Sequence, residues 1–187
     1  MIGSLFNKRV KLRLLQETDA LAIIACLNIN PELVANLAFF SNGVPSMAEE
    51  TAWIKKVTTR PNQEFVFAAE TLEKDILIGT AGIHEIDAHN KNARVGIMIA
   101  NKDFIGKGYA REILETLHGW VFGKIKLSKL FMNFRTDNGK MRRIAEKLGY
   151  HEVGILKQEY FWKGQFLDFV RFELTAQDYQ KRIQGAQ

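Results

Sequence analysis

A Gly-x-Gly turn between a predicted strand and a predicted helix constrains the fold of this chain more than any other feature. The strand is predicted for Ala93–Ala100, and apolar residues recur at helical spacing from Ile113 to Val121. Gly106 and Gly108 lie between these two segments. Glycines at such a position let the backbone approach an anion, and the helix N-terminus adds partial positive charge. The segment predicts a phosphate-binding turn, although a purely structural turn would use glycine in the same way.

The composition is that of an ordinary globular protein. The 187 residues are 47% hydrophobic and 25% charged, which predicts a single domain over residues 1–187. We find no apolar run near the roughly 20 residues that a membrane-spanning helix needs, and no signal-peptide pattern at the start. Cys26 is the only cysteine, so no internal disulfide can form. A reducing, cytoplasmic location without a membrane partner is therefore expected.

The charge pattern indicates a solvated surface for most basic residues, and two clusters that flank the glycine loop would suit a phosphorylated cofactor. The net charge is +5, and the densest basic clusters are Lys124–Lys129 and Lys140–Arg143. Neither cluster has the interleaved aromatic residues or zinc-finger spacing of a nucleic-acid-binding motif. The histidines show no metal-ligand spacing, so no metal site is predicted.

Hydrophobic patterning and turn residues predict the element order β-α-α-β-β-β-α-β-α-β-β. The predicted strands are Val10–Leu14, Glu64–Glu70, Ile76–Ile86, Ala93–Ala100, Leu130–Arg135, Glu152–Trp162 and Gln165–Thr175. A capping box at Ser46–Glu49 predicts the start of the second helix, which should end near Arg60. This order predicts an α+β domain around one mixed, mostly antiparallel sheet of about seven strands.

Four segments in this order resemble the GNAT superfamily of N-acetyltransferases and, within it, the RimJ/RimL-like branch. They are Ile78–His84, similar to the third strand of that branch; Gly106–Glu112, similar to its pyrophosphate loop; Asn138 with Glu146–Tyr150, similar to its "N…EKLGF" helix; and Gly154–Asp168, similar to its final hairpin. The resemblance implies the GNAT fold, whose fourth and fifth strands splay apart and leave a slot for the pantetheine arm of acetyl-CoA. Those two strands are Ala93–Ala100 and Leu130–Arg135 here.

The resemblance also implies acetyl-CoA as the co-substrate and names the residues that would bind it. Backbone groups of Met98, Ile99 and Ala100 would pair with the pantetheine arm, and a backbone N–H near Ile99 would polarise the thioester carbonyl. The pyrophosphate would lie on the loop made by Gly106, Lys107, Gly108, Tyr109 and Ala110. Asn138 would reach the pantetheine or the sulfur region, or would only cap its helix.

The sequence departs from the family pattern at several positions. Ile105 stands where the loop usually opens with Gln or Arg. Met141 and Ala145 stand where many relatives carry a Ser or Tyr that protonates the leaving thiolate, and Arg94 stands where relatives often have a Glu. The resemblance therefore leaves both the acid and the base unassigned.

Amine acetylation needs a proton acceptor, and the candidates are His84, Glu85, Asp87, Glu159 and Tyr160. His84 titrates near neutrality, yet a hydrogen-bonded structural histidine fits the pattern as well. Alternation along Ile83–Asp87 predicts that His84 and Ile86 share one face and that Glu85 lies on the other. Glu85 and Tyr160 also fit ordinary strand pairing and core packing.

Two functions remain open from the sequence. The first is an N-acetyltransferase that moves an acetyl group from acetyl-CoA to a primary amine by direct transfer in a ternary complex. Its acceptor would be a protein N-terminus, a polyamine, an amino sugar or a similar small molecule. The alternative is an acyl-CoA-binding sensor or interaction module that has lost catalysis. Phe39 and Phe40 fit either a substrate wall or a core, and a homodimer is left open.

Overall fold

The structure is a computed structural model that describes residues 3–30, 33–34, 43–59 and 64–185. Its strands are β1 (Leu5–Asn7), β2 (Val10–Leu14), β3 (Phe65–Thr71), β4 (Leu77–Asp87), β5 (Asn92–Ile99), β6 (Lys129–Arg135), β7 (His151–Trp162) and β8 (Gln165–Thr175). They form one sheet in the order β1-β2-β3-β4-β5-β6-β8-β7, in which only the β5–β6 pair is parallel among the described strands. The predicted α+β architecture is confirmed.

The sheet has eight strands instead of the predicted seven or so. The additional strand, Leu5–Asn7, pairs antiparallel with Val10–Leu14 at one edge of the sheet. Three residues are too few to show a periodic pattern, so only pairing with a neighbour identifies this strand. The fourth and fifth strands of the family pattern are consequently β5 and β6.

Five α-helices lie in the described ranges: α1 (Ala20–Asn28), α2 (Met47–Thr58), α3 (Tyr109–Trp120), α4 (Gly139–Lys147) and α5 (Ala176–Gln184). The predicted capping box opens α2, since the Ser46 hydroxyl accepts from the Glu49 N–H and the Glu49 carboxylate accepts from the Ser46 N–H at 2.8 Å. The expected end of this helix near Arg60 lies outside the described residues.

The helices cover the two faces of the sheet with separate apolar cores. On the face that we call the α3 face, Ile113, Leu114 and Leu117 pack in one core with Ile78, Ala81 and Ile83 of β4, Ala93 and Val95 of β5, and Ala145 of α4. On the opposite face, the α1–α2 face, Ile23 and Ile54 pack with Val66, Ala68, Met98 and Ala100. Alternate residues of the central strands therefore point into different cores.

The sheet opens between β5 and β6. Their parallel pairing covers Asn92–Arg94 against Lys129–Phe131 and goes no further. The rest of β5 stays paired with β4, and the rest of β6 stays paired with β8. A slot consequently forms between the two strands beyond Arg94 and Phe131, as the GNAT resemblance implies.

The helix α3 contains a buried histidine. His118 is fully buried, and the Tyr150 hydroxyl lies 2.9 Å from its Nε2. Burial lowers the pKa of His118 to about 3, and the nearby Arg182 cation acts in the same direction. Its Nδ1 has no hydrogen-bond partner within the described chain. The folded protein therefore holds this imidazole neutral.

We expect this histidine to make the fold sensitive to acid. Its pKa is about 3 in the folded state and about 6.5 in an unfolded chain, so the unfolded chain binds more protons between these values. The contribution of neutral His118 to the free energy of unfolding is complete above about pH 6.5. It is lost as the pH falls, at about 1.4 kcal/mol per pH unit. His118→Gln keeps an acceptor for Tyr150 and should lose less stability between about pH 7 and 5. Urea unfolding at several pH values measures the free energy of unfolding of the wild type and of the variant. Parallel pH profiles of the two proteins would contradict the expectation.

Candidate functional site

One backbone group of β5 and one of the residue that follows it face the slot. A Cβ added at Gly79 would lie 1.9 Å from the Met98 carbonyl oxygen, so this carbonyl points toward β4. Because a trans peptide directs its C=O and N–H to opposite sides, the Ile99 N–H points into the slot. The Asn101 N–H donates to the Ile78 carbonyl at 2.9 Å, and the Ala100 carbonyl accordingly points into the slot. One donor and one acceptor are thus available to an extended ligand.

The glycine loop adjoins the N-terminus of α3. Gly106 and Gly108 have φ angles of +76° and +87°, in the region that disfavours residues with a side chain. Gly108 is the N-cap of α3, and the N–H groups that follow it precede any intrahelical acceptor. A Cβ added at Gly106 would meet nothing within 4 Å, so the loop is open on that side. The loop and the slot together fit the pyrophosphate and pantetheine of a CoA thioester.

Asn138 caps α4 and keeps a free donor. Its Oδ1 accepts from the Met141 N–H at 3.0 Å, which makes it the N-cap. Its Nδ2 takes part in none of the described hydrogen bonds. The capping role and the predicted contact with the cofactor are therefore compatible, because they use different atoms of one amide.

His84 and Glu64 form a hydrogen-bonded pair on the α1–α2 face. The His84 Nδ1 lies 3.0 Å from the Glu64 Oε2, and an ionised carboxylate only accepts, so Nδ1 carries the proton. The other nitrogen, Nε2, would lie 3.5 Å from a Cβ at Gly96 and 3.3 Å from one at Gly82. Because Gly82 and Gly96 have no side chains, the imidazole lies over this pair of residues. Gly96 belongs to β5, the strand that borders the slot. Nε2 has no hydrogen bond within the described ranges.

The surroundings of His84 keep its imidazole neutral. Burial lowers the pKa of His84, the hydrogen bond to Glu64 opposes that shift, and the Arg94 cation adds to it. The net direction is downward from about 6.5, so the ring is unprotonated at neutral pH. A neutral imidazole with an oriented, unpartnered Nε2 is able to accept a proton.

The expected alternation around His84 is wrong. Glu85 has a φ angle of +52°, and the β4–β5 register shifts between His84 and Asp87. This bulge turns Ile86 to the α3 face, where it packs with that core instead of sharing the face of His84. The Glu85 carboxylate is bound by Arg94, whose Nε lies 2.8 Å from its Oε1. The Glu85 side chain is 61% exposed, so Glu85 is less suited than His84 to act as the general base.

Tyr160 does not lie near His84. His84 pairs with Arg94, Arg94 with Phe131, and Phe131 with Glu173, which places all four in one row across the sheet. Tyr160 instead pairs with Leu167, six residues from Glu173 along β8, or about 20 Å at strand rise. Its ring packs against Phe169 with 6.0 Å between centroids. The structure brings His84 and Glu85 together and leaves Tyr160 apart.

Three polar residues of interest were not among the sequence candidates. Glu64 orients His84, but only the strand register reveals it. Asn133 of β6 lies on the α1–α2 face beside the slot, and its buried Oδ1 has no partner in the described structure. Glu50 of α2 is 6% exposed, and burial raises its pKa. None of the described hydrogen bonds or ion pairs involves the Glu50 carboxylate.

Some expectations fall outside what the structure covers. Phe39 and Phe40 lie outside the described residues. Over the described ranges, no helix is long and apolar enough to cross a membrane. The same ranges contain no group of three or more His, Cys, Asp or Glu side chains that could hold a metal ion.

Comparison with protein families gives one match over most of the chain. Residues 9–151 match the family described as "Acetyltransferase (GNAT) domain". The matched region includes the glycine loop, the slot, His84 and Asn138.

Individual relatives cover nearly the whole chain. Spermidine N(1)-acetyltransferase of Vibrio cholerae is 29% identical over 94% of this chain and 98% of its own length. The putative ribosomal N-acetyltransferase YdaF of Bacillus subtilis is 25% identical over 93% of this chain and 95% of its own. Among solved structures, the Vibrio cholerae spermidine N-acetyltransferase in complex with CoA and spermine has a TM-score of 0.82 and 26% identity, covering 93% of this chain and 99% of its own. RimL, a ribosomal alpha-N-protein acetyltransferase in complex with CoA, has a TM-score of 0.84 at 17% identity, covering 92% and 98%, and shows the shared fold.

Proposed function

Since the chain belongs to the acetyltransferase (GNAT) domain family and uses acetyl-CoA, we propose that His84 is the general base for acetyl transfer to a primary amine. The observation that supports this most is the unpartnered Nε2 of His84, which Glu64 orients over the Gly82–Gly96 pair beside the slot. The amine would approach from the α1–α2 face, while the cofactor would lie along the slot and the glycine loop.

The residues divide the reaction between them. Acetyl-CoA supplies an activated acetyl thioester. The Ile99 N–H would donate to the thioester carbonyl oxygen, and the Ala100 carbonyl would hold the pantetheine arm. As the amine nitrogen bonds to the carbonyl carbon and the C–S bond breaks, His84 Nε2 would take the proton that the nitrogen loses. The CoA thiolate would take its proton from water, because Met141 and Ala145 have no proton to give.

The acceptor is proposed to carry N–H groups besides the reacting amine. Asn133 Oδ1 is a buried acceptor without a partner in the described structure, and Glu50 offers a buried carboxylate on the same side of the sheet. Such oxygens favour a ligand that donates hydrogen bonds or carries a positive charge. A polyamine and a peptide N-terminus both satisfy this requirement, and the relatives include a spermidine N(1)-acetyltransferase and a putative ribosomal N-acetyltransferase.

An amine panel tests the proposal. CoA thiol release from acetyl-CoA is measured with spermidine, short peptides with free N-termini, amino sugars and simple monoamines, and CoA binding is measured in parallel by calorimetry. We expect turnover with at least one primary amine and its loss when that amine is already acetylated. CoA binding without turnover on any of these amines would overturn the proposal and favour the acyl-CoA-binding alternative.

Replacing Met141 should not impair catalysis. Met141 lies in the first turn of α4 with its side chain packed against the core of the α3 face. Met141→Ser supplies a hydroxyl where relatives often carry one, so turnover should equal or exceed the wild-type value while stability falls by about 1–2 kcal/mol. Steady-state kinetics at saturating acetyl-CoA measures the change. A folded variant with greatly reduced kcat would show that Met141 contacts the reacting groups.

A further inference from the structure

We propose that Arg9 holds the glycine loop in position and neutralises a nearby negative charge, so that the loop binds the pyrophosphate of CoA. Arg9 lies in the turn between β1 and β2, far along the chain from the loop. Its Nη2 donates to the Lys107 carbonyl at 3.2 Å, and its guanidinium lies 4.3 Å from the centroid of the Tyr109 ring. Arg9 thus contacts the loop just before and just after Gly108. The proposal rests on the use of acetyl-CoA and is independent of the base and of the acceptor.

Arg9 also binds a carboxylate in the first turn of α3. Its Nε donates to Glu112 Oε1 at 2.9 Å, and its Nη2 donates to the same oxygen. The second oxygen, Oε2, is buried and has no partner in the described structure. Glu112 is mostly buried as a whole, with its side chain 14% exposed. Arg9 is therefore the cation that neutralises this carboxylate.

The position of Glu112 makes that neutralisation important for an anionic ligand. A carboxylate in the first turn of a helix suits the helix itself but opposes a phosphate bound at the same N-terminus. Within the described residues, Arg9 links the carboxylate to the loop backbone, because its guanidinium donates both to Glu112 Oε1 and to the Lys107 carbonyl. Without Arg9, the bound pyrophosphate would experience an uncompensated negative charge at short range. With Arg9, the loop keeps the positive potential of the helix N-terminus.

A double-variant cycle on Arg9 and Glu112 distinguishes neutralisation of the Glu112 charge from a purely structural restraint on the loop. We expect Arg9→Ala to weaken CoA binding about fivefold at low salt, as measured by calorimetry without any acceptor. The weakening should shrink at high salt because screening reduces the repulsion. Arg9→Ala combined with Glu112→Gln should restore most of the affinity, since the repelling charge is gone. Arg9→Lys should bind nearly as tightly as the wild type.

Lys8→Ala is the matched control, because it removes the same charge from the neighbouring exposed residue, whose side chain makes none of the described hydrogen bonds. Circular dichroism and thermal melting verify that every variant is folded. The proposal is overturned if Arg9→Ala binds CoA normally, if Lys8→Ala weakens binding equally, or if the double variant stays as weak as Arg9→Ala. All of these measurements are of CoA binding and none requires turnover. A result that overturns the role of Arg9 is therefore distinct from one that overturns the role of His84.

Discussion

Replacement of His84 by Gln should lower the rate of acetyl transfer roughly a hundredfold, which is the lower range for the loss of a general base. Gln is polar and able to donate to Glu64, so the local hydrogen bond has a substitute. It has no nitrogen that accepts a proton near neutral pH. CoA affinity should hardly change, because the glycine loop is formed by other segments. Single-turnover kinetics and calorimetry on the same preparation measure both quantities.

The pH dependence gives an independent signature of His84. Its pKa is lowered by burial, so the wild-type enzyme should lose activity only below about pH 6.5, as the imidazole becomes protonated. That acidic limb of kcat/KM should be absent in His84→Gln. Glu64→Gln should retain more activity than His84→Gln, because the Gln amide oxygen still accepts from the Nδ1–H group and Nε2 stays in place.

His151→Gln is the matched control, since it makes the same exchange at an exposed histidine on β7. It should change neither the rate nor the acidic limb. A purely structural His84 predicts the opposite pattern: a lower melting temperature with single-turnover chemistry almost intact per folded molecule. That result would remove His84 from the mechanism and leave water or Glu85 as the proton acceptor.

Local signals predicted most of the fold. Strand alternation and the capping box at Ser46–Glu49 each arise within a few residues, and the structure confirms the corresponding strands and helix. The slot was implied by the family resemblance, and it appears where β5 and β6 stop pairing. Such features follow from short-range geometry, which a single sequence contains.

Register and long-range contacts could not be predicted in this way. Glu64 and His84 are 20 residues apart in sequence, and they meet because Phe65 pairs with Ile83. Arg9 and Glu112 are 103 residues apart and meet only when β2 packs beside α3. The bulge at Glu85 reversed the predicted face of Ile86, because a non-glycine residue at positive φ leaves no sequence signature there. The candidate base was thus identifiable from its residue type, but the partner that orients it was not.

Gly108→Val should weaken CoA binding by more than tenfold, or about 1.4 kcal/mol. Space is not the obstacle, because the nearest atom to an added Cβ is the Arg9 Nη2 at 3.5 Å. The obstacle is the backbone: at a φ of +87°, a β-branched residue is strongly disfavoured. The variant loop would relieve this strain by rotating out of the left-handed region. The N–H groups at the start of α3 would then no longer converge on one anion.

Gly164→Val separates that effect from general strain. Gly164 has nearly the same φ, +84°, but lies in the β7–β8 turn, where an added Cβ meets nothing within 4 Å. Both variants should melt at a lower temperature than the wild type, since both place Val in a conformation that it disfavours. Only Gly108→Val should lose CoA affinity in calorimetry. Normal affinity in folded Gly108→Val, or an equal loss in Gly164→Val, would contradict a pyrophosphate site at this loop, because backbone strain would then have no specific connection with the ligand.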